Sequence, residues 1–193
     1  LLKITSEAVR QMSEGELLQI EKARRLDITE AVYFEIIQRK TASLIAACCA
    51  CGAASVGADA DAVERMRRFG ELVGLAFQIK DDLLDLGDGE RIGKPTGGDI
   101  RERKMTLPLI HTLQEANAQQ RRRLIRLVKY RNQDNAAVQE VMDAILTGPG
   151  MDYARGQMQA LTKEAMALLN PLEESPAKSA LIDLVEFTIE RKR

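Results

Sequence analysis

Tryptophan is absent from the sequence, histidine occurs once, and aromatic residues make up only 4% of the chain. Strands prefer aromatic and β-branched residues, so the scarcity of aromatics argues against an all-β fold. Alanine, leucine, glutamate, glutamine, lysine and arginine are abundant instead, and these residues favour helices. With 193 residues and 45% hydrophobic content the chain can bury a substantial core, so we expect one all-α domain spanning residues 1–193.

An excess of charge of one sign is also missing, because the formal net charge is −1 at pH 7. Nucleic-acid-binding proteins typically carry a one-sided basic charge, so we expect no nucleic-acid partner. The first residues lack the pattern of a secretory signal, and the longest uncharged window, residues 41–58, is rich in small residues and suits a packed helix better than a membrane span. We therefore expect a cytoplasmic protein.

Cysteine is confined to one short stretch, ACCAC, which contains Cys48, Cys49 and Cys51. This spacing fits neither a zinc-binding CxxC pair nor a disulfide framework. We interpret the three cysteines as small apolar packing residues of a core helix in a reducing compartment.

Helical periodicity continues along the whole chain between turn signals. Thr29 is the predicted N-cap of a long second helix that ends at Gly57. Connections are mostly short, which favours antiparallel neighbours. The predicted helices span about residues 4–21, 30–56, 59–86, 119–130, 135–146, 151–169 and 176–191, and a further helix starts at Asp99 or at Thr106 with Pro108 in its first turn.

One predicted helix ends in an acidic stripe, FQIKDDLLD. Like charges three or four residues apart cost an isolated helix roughly 0.2–0.5 kcal/mol per pair, so a cation should compensate them. Oxygen ligands select a hard cation such as Mg²⁺, which often shares its coordination with substrate phosphate. The alternative is a solvated acidic face. At 100° per residue four polar residues fall within about 100° of arc on one face: Gln78, Asp81, Asp82 and Asp85.

Positive charge follows this stripe in the segment GKPTGGDIRERKMTLPL, which contains Lys94, Asp99 and Lys104. Lysine is a compact point charge suited to a diphosphate, and glycines allow the backbone to approach one. An acidic, metal-binding face followed by a glycine and lysine loop therefore indicates a diphosphate site. The alternative for Lys94 is an ordinary loop lysine.

These segments together resemble the trans-isoprenyl diphosphate synthases, also called the polyprenyl synthetase family. FQIKDDLLD with GKPTGGD is similar to the family's second aspartate-rich motif, KMTLPLI is its usual continuation, and EGELLQ and the Lys40–Thr41 pair are similar to two further signatures. The resemblance covers nearly the whole chain. It implies a bundle of long antiparallel helices around a central cavity, and a Mg²⁺-dependent homodimer that joins isopentenyl diphosphate head-to-tail to an allylic diphosphate.

The resemblance also implies a role for each matching residue. Metal and lysines would stabilise the charge of the departing diphosphate more in the transition state than in the ground state. The implied roles are Mg²⁺ binding for Asp81, Asp82 and Asp85, contact with the allylic diphosphate for Lys40, Lys94 and Lys104, orientation of the lysine loop for Asp99, and contact with the developing allylic cation for Thr41 and Gln78.

One feature of the family has no counterpart in the sequence, since no first aspartate-rich motif occurs before Asp81. We therefore expect the C-terminal portion of a larger synthase, inactive by itself. The segment KPTGGDIRERKMTLPLIHTL resembles the bacterial long-chain, octaprenyl-like synthases that supply quinone side chains. We expect such a product to seek the membrane, and we expect no membrane span in the chain itself.

Three other functions stay open at this point. A non-catalytic regulatory subunit of a heterodimeric synthase would share the fold but has no reason to keep DDLLD. A terpene cyclase would carry different metal-binding motifs. A helical interaction module would not respond to Mg²⁺ and diphosphate.

We interpret His111 as a partly buried helix residue and Gly70 and Gly74 as sites of close helix packing. The terminal residues 190–193 either cover the diphosphates or form a solvated tail.

Overall fold

The computed structural model describes residues 1–26, 28–87 and 97–191, except for the side chains of residues 24 and 25. Every regular element in these ranges is helical, which confirms the predicted all-α class. In chain order the helices are α1 (Leu2–Arg25), α2 (Glu30–Ile37), a π-helical turn (Gln38–Ala42), α3 (Ser43–Ser55), α4 (Ala60–Asp85), α5 (Gly98–Arg101), α6 (Leu107–Glu115), α7 (Ala118–Tyr130), α8 (Asn135–Thr147), α9 (Gly150–Leu169) and α10 (Pro176–Glu190).

The capping residues that the sequence predicts lie at the expected helix ends. The backbone N–H of Val32 donates to Thr29 Oγ1 at 3.4 Å at the start of α2. Thr106 precedes α6 with Pro108 in the first turn. Gly57, which follows α3, has a φ of 76°, a conformation that glycine adopts without steric strain. These boundaries are confirmed.

The predicted helix over residues 30–56 is wrong in one respect, because it is not a continuous α-helix. Residues Gln38–Ala42 form a π-helical turn between α2 and α3. A π-turn adds a residue to one turn of a helix and changes the direction in which its side chains point. Lys40 and Thr41, both predicted site residues, belong to this turn.

The chain divides into two compact units, and the first contains Leu1–Gln19, Phe34–Gln78 and Gln157–Arg191. Close contacts between backbones occur inside it: a Cβ atom on Gly70 would lie 2.6 Å from the carbonyl oxygen of Ile45, and one on Gly74 would lie 2.6 Å from Ala42 Cα. The interpretation of these glycines as close helix packing is confirmed. The buried core of this unit comes from α4, α9 and α10 and contains Phe69, Leu72, Val73, Ala165, Leu169 and Val185.

The second unit contains Ile20–Tyr33 and Ile79–Gly156. In it α6, α7 and α8 pack against one another and α5 packs against α8. Helix α4 therefore contributes its residues up to Gln78 to the first unit and those from Ile79 onward to the second. A single domain over residues 1–193 stays a prediction. The largest buried side chains of the second unit include Leu83, Leu107, Leu109, Val128, Val141 and Ile145.

The uncharged window of residues 41–58 forms the end of the π-turn and α3. No helix within the described ranges combines the length and the hydropathy needed to cross a bilayer.

The interpretation of the cysteines as packing residues holds for Cys49, whose Sγ lies close to Gly70. Burial raises the pKa of the Cys49 thiol. Cys48 is exposed, so the interpretation of this cysteine as a core packing residue is wrong.

Candidate functional site

The last turn of α4 carries the three predicted metal ligands, and the surroundings of Asp82 are the most enclosed. Asp82 is 5% exposed. The hydroxyl of Tyr33, on α2, donates a hydrogen bond to Asp82 Oδ2 at 2.7 Å. Burial, and then the charge of the Asp82 carboxylate, raises the pKa of Tyr33 well above its usual value, so the phenol stays protonated and donates. Tyr33 is a residue that the sequence analysis did not select.

Asp85 has a different environment, since its carboxylate holds the start of α5. Its Oδ1 accepts from the backbone N–H of Gly98 and its Oδ2 from that of Asp99, each at 3.1 Å. The carbonyl of Asp85 also accepts from the backbone N–H of Gly97 at 3.0 Å. Burial raises the pKa of Asp85, although the hydrogen bond from Asp99 acts in the opposite direction. Asp85 thus holds the backbone of Gly97–Asp99, at the start of α5, against the end of α4.

Asp99 and Lys104 form an ion pair just beyond this connection. Lys104 Nζ lies 3.0 Å from Asp99 Oδ1 and 2.8 Å from Glu102 Oε2. Burial lowers the pKa of Lys104, but the bonds to Glu102 and Asp99 outweigh it, so the net effect raises that pKa and keeps the ammonium charged. The expected orienting role of Asp99 thus has a geometric counterpart at Lys104. Lys94, the other predicted lysine of this segment, lies outside the described residues.

The donor atoms at the end of α4 are all carboxylate oxygens, the ligand type that Mg²⁺ prefers. Within the described ranges no three carboxylate, imidazole or thiol side chains converge as they would in a metal cage made by protein alone. Mg²⁺ typically takes one or two carboxylates and completes its shell with water and phosphate. The residues therefore fit a Mg²⁺ ion that a diphosphate helps to hold, and do not form a closed protein cage.

The remaining predicted site residues lie in the first unit, on the π-turn and on α4. Thr41 Oγ1 donates to Gln78 Oε1 at 3.1 Å, so the two residues expected to face an allylic cation are hydrogen-bonded partners. Lys40 Nζ lies 2.7 Å from Glu16 Oε2 and donates to Gln19 Oε1 at 2.8 Å. Glu16 and Gln19 belong to the EGELLQ segment of α1, and their pairing with Lys40 was not foreseen.

The π-turn is held between two glycines that come from different helices. A Cβ on Gly15 of α1 would lie 2.7 Å from the backbone nitrogen of Lys40 and 2.8 Å from Arg39 Cβ. On α4, a Cβ on Gly74 would lie 2.9 Å from Ala42 Cβ. All three distances are too short for real Cβ atoms, so the absence of a side chain at each glycine lets the backbones meet. The position of Lys40 and Thr41 depends on this contact.

An open cavity of about 550 Å³ lies beside Lys40 in the same unit. Its walls carry both apolar and charged groups, and Lys40 and Glu16 give it a charged side. The residues that line it are Met12, Ser13, Glu16, Leu17 and Lys40.

The C-terminal arginine of the described chain packs onto α4. The guanidinium of Arg191 lies 3.9 Å from the centre of the Phe77 ring, and its Nη2 donates to the Phe77 carbonyl at 3.1 Å. Such a cation–π contact anchors the end of α10 next to Gln78. Arg191 is therefore not part of a frayed tail, whereas Lys192 and Arg193 lie outside the described residues.

His111, the single histidine, is a partly buried residue of α6, as expected. Its ring stacks on Tyr153 of α9 with centroids 3.8 Å apart and planes 4° from parallel. Tyr153 in turn donates to Glu30 Oε1 at 2.6 Å. The hydrogen bond to Glu30, followed by burial, raises the pKa of Tyr153 to about 12.

The protein is all-α, carboxylates gather at the end of α4, and Lys104 pairs with Asp99 and Glu102 in the residues that follow. A family model described as "polyprenyl synthetase" matches residues 1–145 of the chain. The chain is 36% identical over 192 residues to a short chain isoprenyl diphosphate synthase of Methanothermobacter thermautotrophicus, and 33% identical over 194 residues to the octaprenyl diphosphate synthase of Escherichia coli. The chain belongs to the polyprenyl synthetase family.

Solved structures agree with this assignment. A decaprenyl diphosphate synthase from Rhodobacter capsulatus matches all of the chain with a TM-score of 0.91 at 34% identity. A polyprenyl synthase from Caulobacter crescentus, in complex with calcium and isoprenyl diphosphate, also matches with a TM-score of 0.91, at 35% identity. The fold is therefore that of the polyprenyl synthases. The chain spans 58% and 60% of the two sequence relatives and 59% of each solved chain.

Proposed function

We propose that the chain is part of a prenyltransferase that joins isopentenyl diphosphate head-to-tail to an allylic diphosphate and so makes a polyprenyl diphosphate. The observation that carries this proposal is the arrangement at the end of α4, where Asp81 and Asp82 precede an Asp99–Lys104 pair that Asp85 fastens to the same helix. Carboxylates for a metal and a lysine for phosphate are what a diphosphate substrate requires.

Asp81, Asp82 and Asp85 would hold Mg²⁺ on the allylic diphosphate, Asp81 most directly. When bound, the ion neutralises charge on the departing diphosphate. The similar Caulobacter protein holds calcium together with an isoprenyl diphosphate, and calcium is likewise a hard cation with oxygen ligands. This supports a divalent cation as the cofactor.

The lysines would bind the diphosphate oxygens directly. Lys104 keeps its charge and its direction through Asp99, 3.0 Å away, while Lys40 is held by Glu16 and Gln19 and Lys94 would add a third contact. Lysines in this role would stabilise the leaving group more as its charge develops than in the bound substrate. Release of the diphosphate leaves an allylic cation.

Thr41 and Gln78 would stabilise that cation with weak dipoles and without a nucleophile that could quench it. Their mutual hydrogen bond at 3.1 Å keeps the hydroxyl and the amide oxygen in a set orientation. Water must be absent while the cation exists, because water would capture it. Isopentenyl diphosphate would then attack the cation, and a proton would be lost from the product.

The product would be a long-chain polyprenyl diphosphate of the kind that supplies quinone side chains, since residues 94–113 resemble the long-chain type. We expect the whole protein to act in the cytoplasm as a homodimer. The presence of DDLLD, Lys40 and Lys94 favours an enzyme over the regulatory subunit of a heterodimeric synthase.

The test is calorimetric binding of farnesyl diphosphate to the full-length protein with Mg²⁺, with EDTA, and with the Asp81→Ala variant in Mg²⁺. We expect binding in Mg²⁺ that both EDTA and the substitution abolish, with helicity unchanged by circular dichroism. Asp61→Ala, at the exposed first turn of the same helix, is the matched control and should bind normally. Normal binding by Asp81→Ala would contradict the metal assignment.

A further inference from the structure

Tyr33 lies at the point where α2 meets the acidic end of α4. Its side chain is 4% exposed and that of Asp82 is 5% exposed, and the 2.7 Å hydrogen bond joins them in the interior of the second unit. A buried phenol normally finds a hydrogen-bond partner, and here the partner is a carboxylate of the aspartate-rich motif rather than a backbone carbonyl.

A hydrogen bond to a carboxylate fixes its orientation. Rotation of the Asp82 side chain about its terminal bond would break the bond from Tyr33, so the lone pairs of the carboxylate point in set directions. Groups that hydrogen-bond a metal-ligating side chain act in this way in metalloproteins, where their loss weakens metal binding without removing a ligand.

A second bond between a tyrosine and a carboxylate lies at the start of α2. One turn before Tyr33, Glu30 accepts a hydrogen bond from Tyr153 at 2.6 Å, and the N–H of Tyr33 donates to the Thr29 carbonyl at 2.9 Å. Two tyrosines thus bind two carboxylates around one helical turn. Only the carboxylate bound by Tyr33 belongs to the aspartate-rich motif.

We propose that Tyr33 is a positioning residue for the divalent cation site: its hydroxyl orients the Asp82 carboxylate, so that Asp81 and Asp82 receive the ion in one geometry. This inference rests on the proposed function, because it requires Asp81 and Asp82 to be metal ligands. In this role Tyr33 acts through Asp82 and is not itself a ligand of the ion.

The experiment measures Mn²⁺ affinity in the full-length protein with inorganic pyrophosphate present, from the electron paramagnetic resonance signal of free Mn²⁺. Tyr33→Phe removes the hydroxyl and keeps the ring, and we expect a loss of affinity of roughly 10- to 100-fold. Tyr153→Phe makes the same chemical change against Glu30 and is the matched control, which should bind Mn²⁺ as the unaltered protein does. Thermal melting establishes that each variant is folded.

The double variant Tyr33→Phe with Asp82→Asn separates positioning from a general structural effect. If Tyr33 acts through Asp82, the double variant should bind Mn²⁺ no more weakly than Asp82→Asn alone, whereas independent effects would add. Additive losses would overturn the inference, as would unchanged affinity in Tyr33→Phe or a Tyr33→Phe protein that does not fold.

Asp81→Asn and Asp82→Asn distinguish this inference from the proposed function. If both lose Mn²⁺ binding while Tyr33→Phe keeps it, Tyr33 has no positioning role but the metal site stands. If neither loses binding, or if the unaltered protein does not bind Mn²⁺ with pyrophosphate, the metal assignment fails and the inference fails with it.

Discussion

The DDLLD motif contains three aspartates, Asp81, Asp82 and Asp85, and each has different surroundings. Asp82 is buried against a phenol, Asp85 accepts two backbone N–H groups, and Asp81 is partly buried. The sequence shows that these carboxylates share a helix face, because helical geometry follows from spacing alone. The sequence does not show which groups donate hydrogen bonds to these carboxylates, because Tyr33, the donor to Asp82, lies 49 positions away along the chain.

The role of Asp85 as an anchor can be measured in the absence of metal. We expect Asp85→Ala to lower the free energy of unfolding in EDTA by about 1–3 kcal/mol, because the N–H groups of Gly98 and Asp99 lose their acceptors in a partly buried place. Urea denaturation of the full-length protein measures this change. Asp61→Ala serves as the control, and an effect of Asp85→Ala no larger than that of the control would contradict the anchoring role.

A few residues outside the predicted set could have been noticed in the sequence. Tyr33 is one of only three tyrosines, and a tyrosine inside an apolar helical pattern implies a buried hydroxyl in need of a partner. The identity of that partner depends on tertiary packing. Glu16 belongs to a segment that was recognised, but its pairing with Lys40 requires α1 to lie beside the π-turn.

The pKa of Tyr153 leads to a pH-dependent prediction. It is raised from 10.0 to about 12 in the folded protein, so the unfolded chain releases this proton at lower pH than the folded one does. The contribution of Tyr153 to stability is therefore fully present below pH 10 and is lost as pH rises towards 12. The difference in unfolding free energy between the unaltered protein and Tyr153→Phe should be constant from neutral pH to mildly alkaline pH and smaller near pH 11. A constant difference throughout would contradict the contact with Glu30.

Helices are the elements that the sequence predicts well here, since periodicity, caps and turn residues agree at most boundaries. The π-turn at Gln38–Ala42 is the exception. Its sequence, QRKTA, contains no glycine or proline and reads as ordinary helix. The extra residue in this turn is accommodated by packing against α1 and α4, so no local signal in the sequence announces it.

Packing of the π-turn between Gly15 and Gly74 gives a prediction at the scale of helices. Glycine to alanine inside a helix normally stabilises by roughly 0.5–1 kcal/mol. At Gly15 and at Gly74 the added methyl group would meet backbone atoms within 3 Å, so we expect Gly15→Ala and Gly74→Ala to destabilise by about 1–3 kcal/mol instead. Chemical denaturation of the full-length protein measures both.

Gly52 is the matched control for these substitutions. It lies in α3, and a Cβ built on it would meet nothing within 4 Å. Gly52→Ala should therefore be stabilising by roughly 0.5–1 kcal/mol. Stabilisation by Gly15→Ala or Gly74→Ala similar to that of Gly52→Ala would show that the glycines do not hold the π-turn.

For the molecule as a whole, composition predicted the fold class, and the resemblance of its motifs to known ones indicated the family. The division into two compact units was not foreseen, because both units combine segments distant in the sequence. Helix α4 joins them through the peptide bond between Gln78 and Ile79. Among the predicted site residues, Lys40, Thr41 and Gln78 belong to the first unit and Asp81, Asp82, Asp85, Asp99 and Lys104 to the second.

Ligand binding should stabilise the whole molecule. A ligand that binds only the folded state at a concentration of 100 times its Kd adds about 2.7 kcal/mol to the free energy of unfolding. We expect Mg²⁺ with inorganic pyrophosphate to raise the melting temperature of the full-length protein by several degrees, and pyrophosphate with EDTA to have little effect. An equal rise in EDTA would mean that the anion binds without the metal.

The bonds between Asp85 and Gly97–Asp99 have a consequence for how the chain can vary. They bring together the two positions that flank the intervening residues. Doubling the number of residues between two such fixed points costs only about 0.6 kcal/mol of closure entropy. Added length between Asp85 and Gly97 should therefore cost little stability, while Asp99 keeps its bonds to Asp85 and to Lys104.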